Sequence, residues 1–186
     1  MKRKKIDRNE IISTAILLAD KKGYSNISLK EIADSLDIKT PSLYNHINGL
    51  DELYDLLAQE GLKRLLNELV NSVIGLSGKQ ALLSMGKSYI AFASSSPNLY
   101  LATQQVSTCW SDATKELSEE IINFIFKIIS IYNLSKEQNI HVVRTLRSYL
   151  HGFALLKSQD FFKIPLDINK SFEIGFESIL KGLELS

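Results

Sequence analysis

Cysteine is all but missing from this chain. Cys109 stands alone among 186 residues, which excludes an internal disulfide and suits a reducing compartment. Beside Trp110 it reads as a small buried hydrophobe, with a redox sensor as the alternative. Three prolines and nine glycines leave long Leu- and Ile-rich amphipathic runs uninterrupted, and that pattern points to an all-α fold. No apolar run is long enough to span a bilayer. The basic start MKRKK is followed by polar and charged residues instead of an apolar core, so no secretory signal is expected and the cytoplasm is the expected location. Enzyme signatures are also lacking. There is no HExxH, no paired-Cys metal spacing and no Gly-rich nucleotide loop; GLSGKQ at 75–80 lacks the phosphate-loop spacing and its Ser/Thr. His141 and Cys109 are far apart in sequence. Neither a cofactor, a metal nor an enzymatic activity is expected.

Charge of one sign is scarce too: the net charge is +1. Its distribution matters more. Lys2, Arg3, Lys4, Lys5 and Arg8 crowd the start, and Lys30 and Lys39 follow, so a basic tip sits on a near-neutral body. A merely solubilising tail explains Lys2 to Lys5 equally well.

What is present is a run of helices with legible starts and stops. Asp7 with Glu10 caps the first, whose core face is Ile11, Ile12, Ala15, Leu18 and Ala19, and Gly23 ends it. Ser28 with Glu31 forms a second capping box, followed by Leu29, Ile32, Ala33 and Leu36 on one face. Asp37-Ile38 makes a break, and Thr40-Pro41 restarts a helix, with Thr40 as N-cap and Pro41 at the first helical position. Two short helices joined by a tight turn, the second opening on small polar side chains, can enter a major groove. A fourth helix runs from about Leu50 to the Gly75-Leu76-Ser77-Gly78 link. Further helices are expected at about 79–95, 98–105, 111–132, 136–161 (capped by Ser135 and Gln138) and 167–185, about nine in all. The boundary between head and body falls in the fourth helix rather than in a linker. We assign residues 1–49 to a helix-turn-helix DNA-binding domain and 50–186 to a helical regulatory and dimerisation domain.

Ile11, Ala15, Gly23-Tyr24, Ser28-Leu29, Ile32-Ala33, Leu43-Tyr44 and Leu53 form a skeleton that resembles the N-terminal domain of TetR-family transcriptional regulators. The likeness covers roughly the first sixty residues. Two positions depart from it: Asp37 stands where the family has a turn glycine, and Leu50 where it has a lysine. Asp tolerates a left-handed backbone, and the loss of the lysine leaves the backbone amides of the fourth helix to meet phosphate. In the carboxyl half, Arg147 to Phe153 with His151-Gly152, then Phe161-Phe162, Leu166-Asp167 and Ser171-Phe172, resemble the TetR subgroup with a His-Gly (WHG-like) C-terminal domain.

The resemblance implies a sequence-specific DNA-binding regulator, a repressor released by a small-molecule effector. It places Ser28, Lys30 and Lys39 beside the DNA and puts Thr40, Pro41 and Ser42 on the groove floor. Tyr44 and His46 would hold phosphates and Asn45 an adenine edge. Core packing for Tyr44 and a helix C-cap for His46 are the structural alternatives. Two heads on a near-palindromic operator require a homodimer, for which Leu155, Phe172, Phe176, Ile179, Leu180 and Leu183 are the candidate surface; closing the monomer core is the alternative. The resemblance also implies a pocket for a small apolar or amphipathic effector. Met85, Tyr89, Phe92, Tyr100, Trp110, Phe124, Tyr149 and His151 are its candidates, with plain core the alternative for each. Gly152, inside a helix, is best explained by a close helix crossing. A helical adaptor that binds a protein partner without DNA is the rival function.

Overall fold

In a computed structural model, residues 6–105 and 110–183 are described (the side chain of Leu183 excepted), and every regular element among them is helical. Lys2, Arg3, Lys4, Lys5, Cys109 and the Leu183 side chain lie outside the described residues. The order is α1 (Arg8–Lys22), a 3₁₀ turn (Tyr24–Asn26), α2 (Leu29–Ser35), α3 (Thr40–Leu43), α4 (Leu50–Ser72), α5 (Gly78–Ser95), α6 (Pro97–Gln104), α7 (Asp112–Ile129) with a 3₁₀ turn (Ser130–Tyr132), α8 (Lys136–Ser158) and α9 (Ile168–Leu183). None of these helices is long and apolar enough to cross a membrane.

The caps are where sequence chemistry puts them. Asp7 accepts the Glu10 amide at 2.8 Å while Glu10 accepts the Asp7 amide at 3.2 Å, and Gly23 ends α1 at φ +91°. Ser135 and Gln138 form the same reciprocal box at α8. One cap differs from expectation. Lys39 is the N-cap of α3 and Thr40 its first helical residue, with Pro41 still in the opening turn where it displaces no hydrogen bond. Another difference is the end of α8. It stops at Ser158, because Asp160 takes a left-handed φ of +54° and closes the helix.

The chain packs as two compact units, Met1–Lys63 with Ser96–Leu117 and Arg64–Ser95 with Ser118–Ser186. In the first unit, α1, α2 and α3 surround a core that includes Ile11, Ala15, Ile32, Leu43 and Ile47. Leu53, Leu56 and Leu57 of α4 and Ala102 of α6 belong to the same core, so this unit extends past residue 49. The α4–α6 approach is close: a Cβ at Gly61 would lie 2.6 Å from Thr103 Cγ2 and 2.8 Å from the Leu99 carbonyl. In the second unit α5 packs on α8 and α9. Gly86 makes room there, since a Cβ would stand 2.7 Å from Phe176.

Candidate nucleic-acid interface

The helix-turn-helix is built around buried Ile32, Ala33, Leu36 and Leu43. Ser28 accepts the Glu31 amide at 3.4 Å and donates its hydroxyl to the Glu31 carboxylate at 2.5 Å. Glu31 does not return to the Ser28 amide as a full capping box would, because Lys22 also pairs with it. That ion pair, with the Ser28 hydroxyl, holds the Glu31 carboxyl below its ordinary pKa. The turn carries Asp37 at φ +56°, so the Asp adopts the left-handed conformation a glycine would take. Its neighbour Ile38 donates to the Ala33 carbonyl at 3.0 Å, closing the turn.

This geometry sorts the candidate residues. Leu43 is fully buried, and the next side chain, Tyr44, is 55% exposed. Lys30, Lys39, Pro41 and Asn45 are exposed, while Ser28, Thr40, Ser42 and His46 are half-buried. Ser28 spends its hydroxyl on the α2 cap, which leaves the outward end of α3 as the chemically available surface. Between Thr40 and His46 it offers a hydroxyl pair, a carboxamide, a phenol and an imidazole.

Arg8 has a different task from the one its basic surroundings suggested. Its Nε and Nη2 donate to the His46 carbonyl at 3.2 and 2.9 Å, and Nη2 pairs with Glu52 at 2.5 Å. Glu52 in turn accepts the Asn48 amide and side chain, both at 2.7 Å. Arg8 therefore caps the turn after the recognition helix and ties it to α1 and α4.

Behind the reading head the first unit contains a buried carboxylate. Asp55 Oδ1 accepts the Thr114 hydroxyl at 2.6 Å and the Ser111 backbone amide at 3.1 Å, and Oδ2 accepts the Gln59 side-chain Nε2 at 2.9 Å. Burial pushes this carboxyl up, but the bonds from Thr114, Ser111 and Gln59 together bring it below its ordinary value. A negative charge at the start of α7 also suits the helix dipole. Nearby, Asn98 of α6 accepts the Tyr24 amide at 3.0 Å and donates to Asp20 at 3.3 Å, joining α6 to the end of α1. Sequence reasoning missed both polar links. An Asp inside the apolar run Leu53 to Ala58 was the available signal.

The effector candidates divide between units. Tyr100 and Trp110 lie in the first; Met85, Tyr89, Phe92, Phe124, Tyr149 and His151 lie in the second. Met85, Tyr89, Phe92 and Tyr100 are buried, and the other four are half-buried. Tyr149 is committed to packing: its hydroxyl donates to the Phe172 carbonyl at 3.0 Å, and a Cβ at Gly175 would lie 2.3 Å from that oxygen. Desolvation, then Arg147, pushes the His151 pKa down. A hollow of about 350 Å³ in the second unit, lined by Lys87, Ile90, Ala91, Ser94, Lys157, Asn169, Phe172 and Glu173, involves none of the eight candidates. The glycine expectation needs correction. A Cβ at Gly152 would meet nothing within 4 Å, whereas the close approaches occur at Gly86 and Gly175.

The dimer candidates also need correction. Phe172, Phe176 and Leu180 are buried in the second unit, with Phe172 and Phe176 stacked at 5.3 Å and Phe176 5.7 Å from Tyr149. Periodicity found the apolar stripe of α9, but the chain itself covers that stripe. Leu155 and Ile179 are half-buried.

A helix-turn-helix on a three-helix core, continued by a helical body, defines the class: a DNA-binding transcriptional regulator. Comparison with known proteins agrees. Residues 82–179 match the family described as "Tetracyclin repressor-like, C-terminal domain". The chain is 33% identical over 174 residues to the uncharacterized HTH-type transcriptional regulator YobS of Bacillus subtilis (strain 168), covering 93% of this chain and 90% of that one. Its fold matches a protein of unknown function from Rhodococcus sp. RHA1 with a TM-score of 0.85 at 15% identity, covering 98% of each chain. It also matches a TetR variant from Acinetobacter baumannii AYE in complex with minocycline, with a TM-score of 0.71 at 18% identity over 97% of each chain. The chain belongs to the TetR family of helix-turn-helix transcriptional regulators.

Proposed function

We propose that this regulator binds a near-palindromic operator as a homodimer and represses the adjacent genes until a small apolar or amphipathic effector occupies its body. In this reading residues 1–49 contact DNA, and residues 50–186 hold the effector and pair the two copies. One observation carries it: buried Leu43 anchors a short helix whose neighbours Pro41, Tyr44 and Asn45 all face solvent. Ser42 and Asn45 present donors and acceptors suited to base edges, while Tyr44, His46, Lys30 and Lys39 suit phosphate. The resemblance to a TetR protein seen with minocycline supports an effector of small-molecule size. To act, such a ligand must bind the DNA-competent and DNA-incompetent states unequally.

Selection of genomic fragments with the purified protein tests this. The expected product is a near-palindrome with half-sites about one turn apart, ~34–36 Å, or somewhat more if the operator is distorted. Fragments no better than random DNA would refute operator reading. Light scattering should give a dimer, and a monomer at micromolar concentration would remove the homodimer.

A further inference from the structure

The hollow of about 350 Å³ in the second unit, formed by α5, the end of α8 and the start of α9, has the make-up of a binding site. Its volume falls in the range of small-molecule pockets, roughly 300–1,000 Å³. Its floor is apolar: Ile90 and Phe172 are buried, and Ala91 offers only a methyl group. Its polar groups are unevenly committed. Lys87 pairs with one Glu173 oxygen at 2.6 Å, and Lys170, beside the hollow, reaches the other at 3.8 Å. Ser94 spends its hydroxyl proton on the Ile90 carbonyl at 2.8 Å. Lys157 is half-buried, yet its ammonium has no ion-pair or hydrogen-bond partner among the described residues, and neither has the Asn169 carboxamide. A cation drawn partly out of water without a counter-charge costs free energy that an anionic ligand recovers. Lys87, Lys157 and Lys170 set against Glu173 and Asp167 leave one positive charge over.

We propose that this hollow binds a small amphipathic carboxylic acid, its carboxylate on Lys157 and Asn169 and its apolar body over Ile90, Ala91 and Phe172. That fixes the chemical class of the effector, and the regulatory half of the claim rests on the effector reading above. Charge decides among the ligand classes. One surplus cation matches one carboxylate, whereas a phosphate monoester or nucleotide brings further negative charge up against Glu173. An amine would meet Lys157 and Lys87 as like charges. A neutral hydrocarbon would cover Lys157 and Asn169 without answering their donors.

Isothermal titration calorimetry of the full-length protein without DNA tests the site, with octanoate and phenylbutyrate as probes and octanol and phenylbutanol as their neutral counterparts. The acids should bind more tightly than the alcohols. Lys157→Met should weaken both acids by about tenfold or more, the loss of one charge-assisted hydrogen bond. Ala91→Trp, which fills the hollow from an exposed position, should abolish binding of acids and alcohols alike. Circular dichroism controls for folding in both variants. No binding of either acid at millimolar concentration, acids no tighter than alcohols, or acid affinity unchanged in both variants overturns the site, and leaves the effector reading standing for a ligand held elsewhere. Fluorescence anisotropy on the selected operator reads the regulatory half. Weaker DNA binding on adding either acid, absent in Lys157→Met, supports it. Acid that binds the hollow and leaves DNA affinity unchanged overturns this hollow as the effector site.

Discussion

Thr114 donates a hydrogen bond from its hydroxyl to Asp55 across 2.6 Å, joining two helices through residues 59 apart in sequence. Asp55 is 8% exposed and Thr114 fully buried. The bond is charge-assisted and screened from water, so its loss leaves a buried acceptor short of a donor. Thr114→Val should therefore destabilise the protein by about 1.5–3 kcal/mol, the range for a hydrogen bond to a charged group. Urea unfolding of Asp55→Asn, Thr114→Val and the double variant should show strong non-additivity; additive effects would mean the two residues act separately.

The same carboxylate sets a pH dependence. Its folded pKa lies below the ordinary value, so the unfolded chain takes up the proton first as pH falls. Its stabilising contribution is complete above the unfolded value of roughly 3.9 and is lost as pH drops through the lower folded value. Acid unfolding followed by circular dichroism should show wild type losing stability over this range, with Asp55→Asn changing less.

Arg8 should influence DNA affinity without touching phosphate, since its guanidinium already serves His46 and Glu52. Arg8→Gln should weaken operator binding by about fivefold, corresponding to about 1 kcal/mol, and leave the salt dependence of affinity unchanged. Lys39→Gln should instead lower the slope of log K against log salt by about 0.9. Fluorescence anisotropy across a salt series distinguishes them; a reduced slope for Arg8→Gln would identify it as a phosphate ligand.

Base reading and backbone holding should separate at α3. Asn45→Ala or Ser42→Ala should cost about 1–3 kcal/mol on the preferred operator and relax specificity at one base pair. Tyr44→Phe should weaken binding to all sequences alike. Competition with single-substitution operators reads both, and uniform losses in all three variants would deny base contacts to Asn45 and Ser42.

Two glycines should respond oppositely to alanine. At Gly86 the new Cβ would stand 2.7 Å from Phe176 and 3.2 Å from Phe172, an overpacking worth about 1–3 kcal/mol of destabilisation. At Gly152 it would meet nothing within 4 Å, so the helix preference for alanine should stabilise the chain by about 0.5–1 kcal/mol. Chemical denaturation at one fixed protein concentration compares the two.

Local chemistry made much of the fold legible. Asp7 with Glu10 and Ser135 with Gln138 marked helix starts because a cap is decided within four residues. Asp37 could be read as a left-handed turn for the same reason. What stayed hidden depended on distant partners. Arg8 meets His46 and Glu52, 38 and 44 residues away, and nothing in a local window separates such a staple from a phosphate-binding cation. Phe172, Phe176 and Leu180 formed a clear stripe, but helical spacing cannot say whether the same chain or a second copy covers it. The α8 end was misplaced because an apolar Phe161-Phe162 pair continued the pattern past Asp160, where the backbone turns left-handed.

The first compact unit is assembled from two separated stretches, Met1–Lys63 and Ser96–Leu117. On the ribosome, its core cannot close until α6 has emerged, well after the segment that carries α3. Exchanging DNA-recognition heads between relatives by cutting within α4 would likewise strand Ala102 and Asn98 with foreign neighbours. A workable chimaera has to carry both stretches together.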